Sequence, residues 1–180
     1  MIQSTYIFDT NVYGELLIEH DSLMLIMRIK RDNALYIYGA DIIEHELHDV
    51  PADKKIKGKI FRRLVLSAYR SLIDEELVFT PLVKYLASKY YEKYRELRKS
   101  GKHYARIKPK GLKYDEADLK ADFGIIALAS IKGVDIVVSA DKRTMLSMLA
   151  AATYDSVNKV NGLKTPKLVD YFVFRQRYLK

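Results

Sequence analysis

Residues 6–8, Tyr-Ile-Phe, form an apolar run too short for a helix, and it stops abruptly at the carboxylate of Asp9. Thr10 and Asn11 follow, and helical patterning starts at Val12. A buried parallel strand reads this way: apolar residues in a row, then a polar residue where the chain leaves the sheet, at the edge where open α/β sheets hold ligands. The same grammar returns late in the chain. Residues 134–138 are apolar or β-branched apart from Asp135, and Ser139-Ala140-Asp141 leads out of the run. In a parallel sheet Asp9 and Asp141 fall on one edge. An acid at such a position has an ordinary use as a helix N-cap, so its meaning depends on which other acids meet it.

Between these two strands the pattern is mostly helical. Val12, Leu16 and Leu17 share a face, and Asp21 opens a second segment carrying Leu23, Met24 and Met27. A second strand is expected at residues 35–38, ended by Gly39, followed by a helix over 41–50 that Pro51 closes. Residues 54–73 read as one helix with a basic surface: Lys54, Lys55, Lys57, Lys59, Arg62 and Arg63. Thr80-Pro81 is a cap-then-proline start for a long helix to about residue 99. A loop over 101–113, a helix from Asp115 to just before Gly133, a helix over 142–158 and a final strand or helical turn over 168–174 complete the chain. Strands alternating with helices predict an α/β fold with three layers, a central parallel β-sheet flanked by helices. Residues 1–180 suit one domain, with no repeat or linker.

Composition narrows the chemistry. With no cysteine, disulfides and thiolate metal sites are ruled out, and the chain suits a reducing cytoplasm. No apolar run is long enough to span a bilayer and no signal peptide is legible, so no membrane role is expected. The net charge of +8 favours a polyanionic partner, nucleic acid first.

At ~100° per residue, Asp115, Asp118 and Asp122 fall in one stripe that continues into the apolar Ile126 and Ala129. Asp115 and Asp118 have ordinary uses at a helix N-terminus. Asp122, one turn further in, has no such use and reads as functional. On the same wheel Glu46 lies with Ile42, Ile43, Leu47 and Val50, whereas Glu44, His45 and His48 point away. A zinc reading of E-H-E-L-H fails, because its histidines stand three apart rather than four. Asp9, Glu46, Asp122 and Asp141 therefore converge, with Asp118 as a further acid. Such a cluster repels itself and takes up protons unless a cation neutralises it. Oxygen-only ligands suit Mg²⁺ or Mn²⁺, and a carboxylate-held Mg²⁺ in a basic protein points to phosphodiester chemistry.

These residues carry a family resemblance. D-T-N at 9–11, E-L at 46–47, D-F-G-I-I-A-L-A at 122–129 and V-V-S-A-D at 137–141 make the chain similar to PIN-domain ribonucleases, the fold of VapC toxins and of several RNA-processing nucleases. The resemblance implies a PIN-like three-layer fold and a metal-dependent endoribonuclease. It gives Asp9, Glu46, Asp122 and Asp141 as the acids of a Mg²⁺ or Mn²⁺ pocket and Asn11 and Ser139 as supporting polar groups. It also implies an RNA substrate, a cognate antitoxin if the chain is a toxin, and a homodimer. The chain is longer than a typical VapC toxin, and its T-M-L-S at 144–147 and N-G-L-K-T-P at 161–166 resemble a group of archaeal PIN-like proteins.

The extra length is a basic, tyrosine-rich insert at about 84–113, with eleven Lys or Arg against two Glu. Basic groups track phosphates and tyrosines stack on unpaired bases. Equally, Leu86, Tyr90, Tyr94 and Leu97 form an ordinary buried stripe. For the loop that follows, Lys102, His103, Arg106, Lys108 and Lys110 are expected RNA contacts. Against the nuclease stands a catalytically silent RNA-binding scaffold, which needs no acid cluster. A haloacid-dehalogenase-like phosphatase wants a second Asp where Asn11 stands.

Overall fold

The structure, a computed structural model, describes residues 3–100 and 116–179, without the side chains of residues 116–118. In chain order the elements are β1 (Ser4–Phe8), α1 (Thr10–Ile18), α2 (Ser22–Lys30), β2 (Leu35–Ala40), α3 (Asp41–Asp49), β3 (Lys55–Ile56), β4 (Lys59–Ile60), α4 (Phe61–Leu72) and β5 (Glu75–Leu77). They continue with α5 (Pro81–Ser100), α6 (Glu116–Lys132), β6 (Ile136–Ser139), α7 (Met148–Asn161), β7 (Lys167–Asp170) and α8 (Tyr171–Arg175). Five strands form one parallel sheet in the order β5-β2-β1-β6-β7. The expected α/β architecture, a parallel sheet between helices, is what the chain adopts.

Handedness explains the layers. The path β1→β2→β5 runs outward in one direction, so its right-handed crossovers leave α1, α2, α3 and α4 on one face. From β5 the chain returns past β2 and β1 to β6 and then β7, and the same handedness puts α5, α6 and α7 on the other face. The reversal point lies between β1 and β6, where an open sheet parts at its C-terminal edge and leaves a crevice. β1 is central and its last residues are wholly buried, which is why its sequence is apolar on both faces. Phe8 packs on Phe174 and Tyr13, with centroids 5.1 and 6.3 Å away. Beneath the helices of the second face, Phe123 packs against Tyr94 at 5.6 Å and Tyr154 at 5.9 Å.

Several local expectations change. Residues 54–60 are not the first turns of a helix. Lys55–Ile56 and Lys59–Ile60 pair as an antiparallel hairpin, and the helix starts at Phe61. Ile56, Ile60 and Leu64 are spaced four apart and mimic a helix face, but Lys57 and Gly58 both take positive φ and turn the chain back. Residues 142–147 form turns rather than helix, and α7 begins only at Met148, capped by the Ser147 hydroxyl accepting from the Ala150 N–H at 3.2 Å. Residues 167–175 are a strand and then a short helix. The edge strand β5 is not legible in the sequence, because Glu75-Glu76-Leu77 has neither an apolar run nor alternation. On α5, Leu86, Tyr90 and Tyr94 are buried and Leu97 is half-buried, so that stripe belongs to the core. The Tyr90 hydroxyl donates to Asn158 Oδ1 at 2.5 Å, joining α5 to α7. Among the described residues no helix is long and apolar enough to cross a membrane.

Candidate active site

The acids gather at the C-terminal edge of the sheet, where β1 and β6 lie side by side. Phe8 pairs with Val138, one residue before β6 ends, and the Asp9 N–H donates to the Val138 carbonyl at 2.9 Å. Asp9 is 3% exposed and fully engaged. Its Oδ1 accepts from the Thr10 N–H at 2.7 Å, which makes it the N-cap of α1. Its Oδ2 accepts from the Ser139 hydroxyl at 2.7 Å and from the Asn11 amide. The cap and the site acid are thus the same residue, with one oxygen for each task.

Asn11 and Ser139 hold the seam together. Asn11 Oδ1 accepts from the Ala140 N–H at 2.8 Å, tying α1 to the exit of β6. Ser139 Oγ, wholly buried, also accepts from the Asp141 N–H at 2.9 Å and so sets the turn that presents Asp141.

Glu46 comes from α3 and is half-buried, its Oε2 accepting from the Thr10 hydroxyl. The helical-wheel sorting of α3 holds: Glu44 turns away and pairs with Arg70 of α4 at 2.8 Å. Asp122 comes from α6. The Thr144 hydroxyl hydrogen-bonds Asp122 Oδ2 and lies 2.6 Å from Asp141 Oδ2. A hydroxyl has one proton to give. Thr144 therefore serves the two carboxyl groups with a single proton.

The electrostatics set the three aspartates apart. Burial, then the charges of Asp9, Asp141 and Glu46, push the Asp122 carboxyl up to about 8 against the Thr144 hydrogen bond. Burial, with the Glu46 charge, raises Asp9 to about 6 despite the Ser139, Thr10 and Asn11 donors. Asp141 goes the other way. Its burial is outweighed by donation from the Thr144 hydroxyl and from the N–H groups of Thr144 and Arg143, so it stays below the ordinary carboxylate range. Two acids raised beside one held low are what clustered buried carboxylates produce. Arg143 Nε stands 4.0 Å from Asp141, its side chain largely exposed.

The oxygen donors fit a hard divalent cation, which would stabilise the ionised forms that burial disfavours. As placed, no three Asp, Glu, His or Cys among the described residues are close enough to form a ready-made cation cage. The side chain of Asp118, on the first turn of α6, lies outside the described residues, as do Lys102, His103, Arg106, Lys108 and Lys110.

No family model matches this chain, and no curated protein matches it. Among solved structures it is similar to VapBC2 from Rickettsia felis bound to a DNA fragment from their promoter, at 15% identity and a TM-score of 0.40, over 92% of this chain and 98% of that one. The site therefore rests on its own geometry.

Two hydroxyls that sequence reasoning missed belong to this site. Thr10 sits between the cap and Glu46, and Thr144 between Asp122 and Asp141. A signal existed for Thr144, since a hydroxyl three residues after a turn acid is placed to fold back on it. Tyr154 is wholly buried and its hydroxyl has no hydrogen-bond partner among the described residues. Burial, then the Asp122 charge, keeps that phenol neutral.

Proposed function

We propose that this protein is a metal-dependent endoribonuclease of the PIN type, using Asp9, Glu46, Asp122 and Asp141. The observation that carries the reading is Asp9 at the β1/β6 seam: a 3%-exposed carboxylate held by Ser139, Asn11 and the Thr10 N–H, with two further acids bridged by Thr144 alongside. Clustered buried acids destabilise a fold unless cations offset them, so their presence together asks for a function. When bound, Mg²⁺ or Mn²⁺ would neutralise the phosphate and activate the attacking water.

The chain's own groups divide the rest of the work. Ser139 and Asn11 fix Asp9 so that it cannot rotate off the seam, and Asn11 also locks the turn leading to Asp141. Thr144 holds Asp122 and Asp141 at one hydroxyl's separation and shares their proton. The low-lying Asp141 supplies standing negative charge, whereas the raised Asp122 would give up its proton more readily with a cation bound. In-line hydrolysis by this site leaves a 5′-phosphate and a 3′-hydroxyl.

The decisive test is Asp9→Asn, which should abolish Mg²⁺- or Mn²⁺-dependent cleavage while RNA binding survives. Undiminished cleavage would sink the reading. RNA binding without cleavage by the unaltered protein under either cation would support the silent scaffold instead. A toxin role, with a cognate antitoxin, is separated from RNA processing by growth arrest on expression, and the expected homodimer by sedimentation. The working place we assign is the cytoplasm.

A further inference from the structure

The β3–β4 hairpin is the most concentrated basic feature among the described residues. Residues 51–63 hold Lys54, Lys55, Lys57, Lys59, Arg62 and Arg63 against Asp53 alone, a net +5 from six positive charges and one negative. All four lysines and Arg63 are exposed. None of the six forms an ion pair with a described residue.

The ribbon is held firmly for so short an element. At its base the Phe61 N–H donates to the Lys54 carbonyl at 2.8 Å and Arg62 donates to the Val50 carbonyl. At its tip are Lys57 with φ 48° and Gly58 with φ 75°. Positive φ at both central residues is the hairpin turn that favours Asn or Gly at its first position. Lys57 is the one described non-glycine residue with positive φ. A lysine stands where the backbone disfavours it, and such outliers point from geometry to use.

Position relates the hairpin to the acids. Lys57 Nζ donates to the Glu19 carbonyl at 3.0 Å, at the end of α1, using one of three ammonium protons. Phe61, directly after the hairpin, lies against Gly14 in the middle of α1. The other end of α1 is capped by Asp9. A nine-residue helix is roughly 14 Å long, so the Lys57 end of α1 lies about that far from its Asp9 end.

We infer that the β3–β4 hairpin grips the phosphate backbone of single-stranded RNA a few nucleotides from the acidic crevice, through Lys55, Lys57 and Lys59. The choice of RNA as the polyanion rests on the nuclease reading above; the backbone grip rests on the hairpin. The side chains of Lys55 and Lys59 have no described hydrogen bond or ion pair to lose, so Lys55→Gln/Lys59→Gln should leave the melting temperature unchanged. Lys57→Gly removes the tip charge while suiting its backbone.

The measurement is fluorescence anisotropy of a labelled single-stranded RNA oligonucleotide in chelator, at several salt concentrations. The double variant should bind more weakly, with the slope of log affinity on log salt shallower by about 1.4, or about 0.7 for each phosphate no longer neutralised. Lys57→Gly should shift it by a further 0.7 or so. An unchanged slope and affinity in a folded variant would overturn the inference. So would a loss confined to phosphatidylserine vesicles, which would make the partner a membrane. Because binding is read without metal, the two readings fail separately. Hairpin-dependent affinity without cleavage under Mg²⁺ or Mn²⁺ sinks the nuclease alone, and cleavage with hairpin-independent affinity sinks the hairpin alone.

Discussion

The Thr144 hydroxyl lies 2.6 Å from Asp141 Oδ2 while also hydrogen-bonding Asp122. Thr144→Val keeps the shape and removes that shared proton, leaving two carboxyls facing each other across a methyl group. The expected cost is about 1–3 kcal/mol of stability. Since the hydroxyl orients two acids from outside the reacting centre, cation affinity and cleavage should fall roughly 10–100-fold. Unfolding curves and a Mn²⁺ titration followed by melting temperature check both numbers. A variant with wild-type Mn²⁺ affinity would remove Thr144 from the site.

Stability of the metal-free protein should depend on pH in a particular direction. Asp9 and Asp122 are raised to about 6 and about 8, above the ordinary value. Between about pH 4 and those values the folded state holds protons that the unfolded chain releases, so stability falls as pH rises. The stabilising contribution is full below about pH 4 and gone above about pH 8. Urea midpoints in chelator should therefore decline from about pH 5 to about pH 9, and Asp122→Asn should flatten the decline while ending cleavage. Added Mn²⁺ should stabilise most at the alkaline end, where it competes with fewer protons. A midpoint that rises across this range would contradict the assignment.

Gly124 controls the distance between two of the acid-bearing helices. A Cβ there would stand 2.9 Å from Phe79 Cε2 and 3.2 Å from Ile42 Cδ1, and Ile42 lies one turn before Glu46 on α3. Gly124→Ala should push α6 from α3, costing about 1–3 kcal/mol as overpacking does. It should also move Asp122 relative to Glu46, lowering kcat more than RNA affinity. Thermal melts and single-turnover cleavage separate the two effects. If Phe79 simply swings aside, both will stay at wild-type levels and the spacing role is lost.

What could be read from residues alone followed from short-range physics. A buried parallel strand must be apolar and must end in something polar, so Tyr6 to Asp9 and Val137 to Asp141 announced both strands and the shared edge. A helix has a fixed period, so Glu46 could be told from Glu44 before any contact was known. That same reasoning failed where spacing was ambiguous: Ile56, Ile60 and Leu64 suit a helix face as well as a hairpin leading into a helix. The Lys57-Gly58 turn decided for the hairpin.

The sequence by itself determined the alternation of strands and helices, the shared edge of Asp9 and Asp141, and the inward faces of Glu46 and Asp122, because these depend on local periodicity. Only the tertiary structure decided how the acids are held. Thr144 joins Asp122 to Asp141, Thr10 joins the first helix to Glu46, and Ser139 meets Asp9 from 130 residues away. Proton sharing and desolvation act over a few ångströms in space, and separation along the chain carries no trace of them.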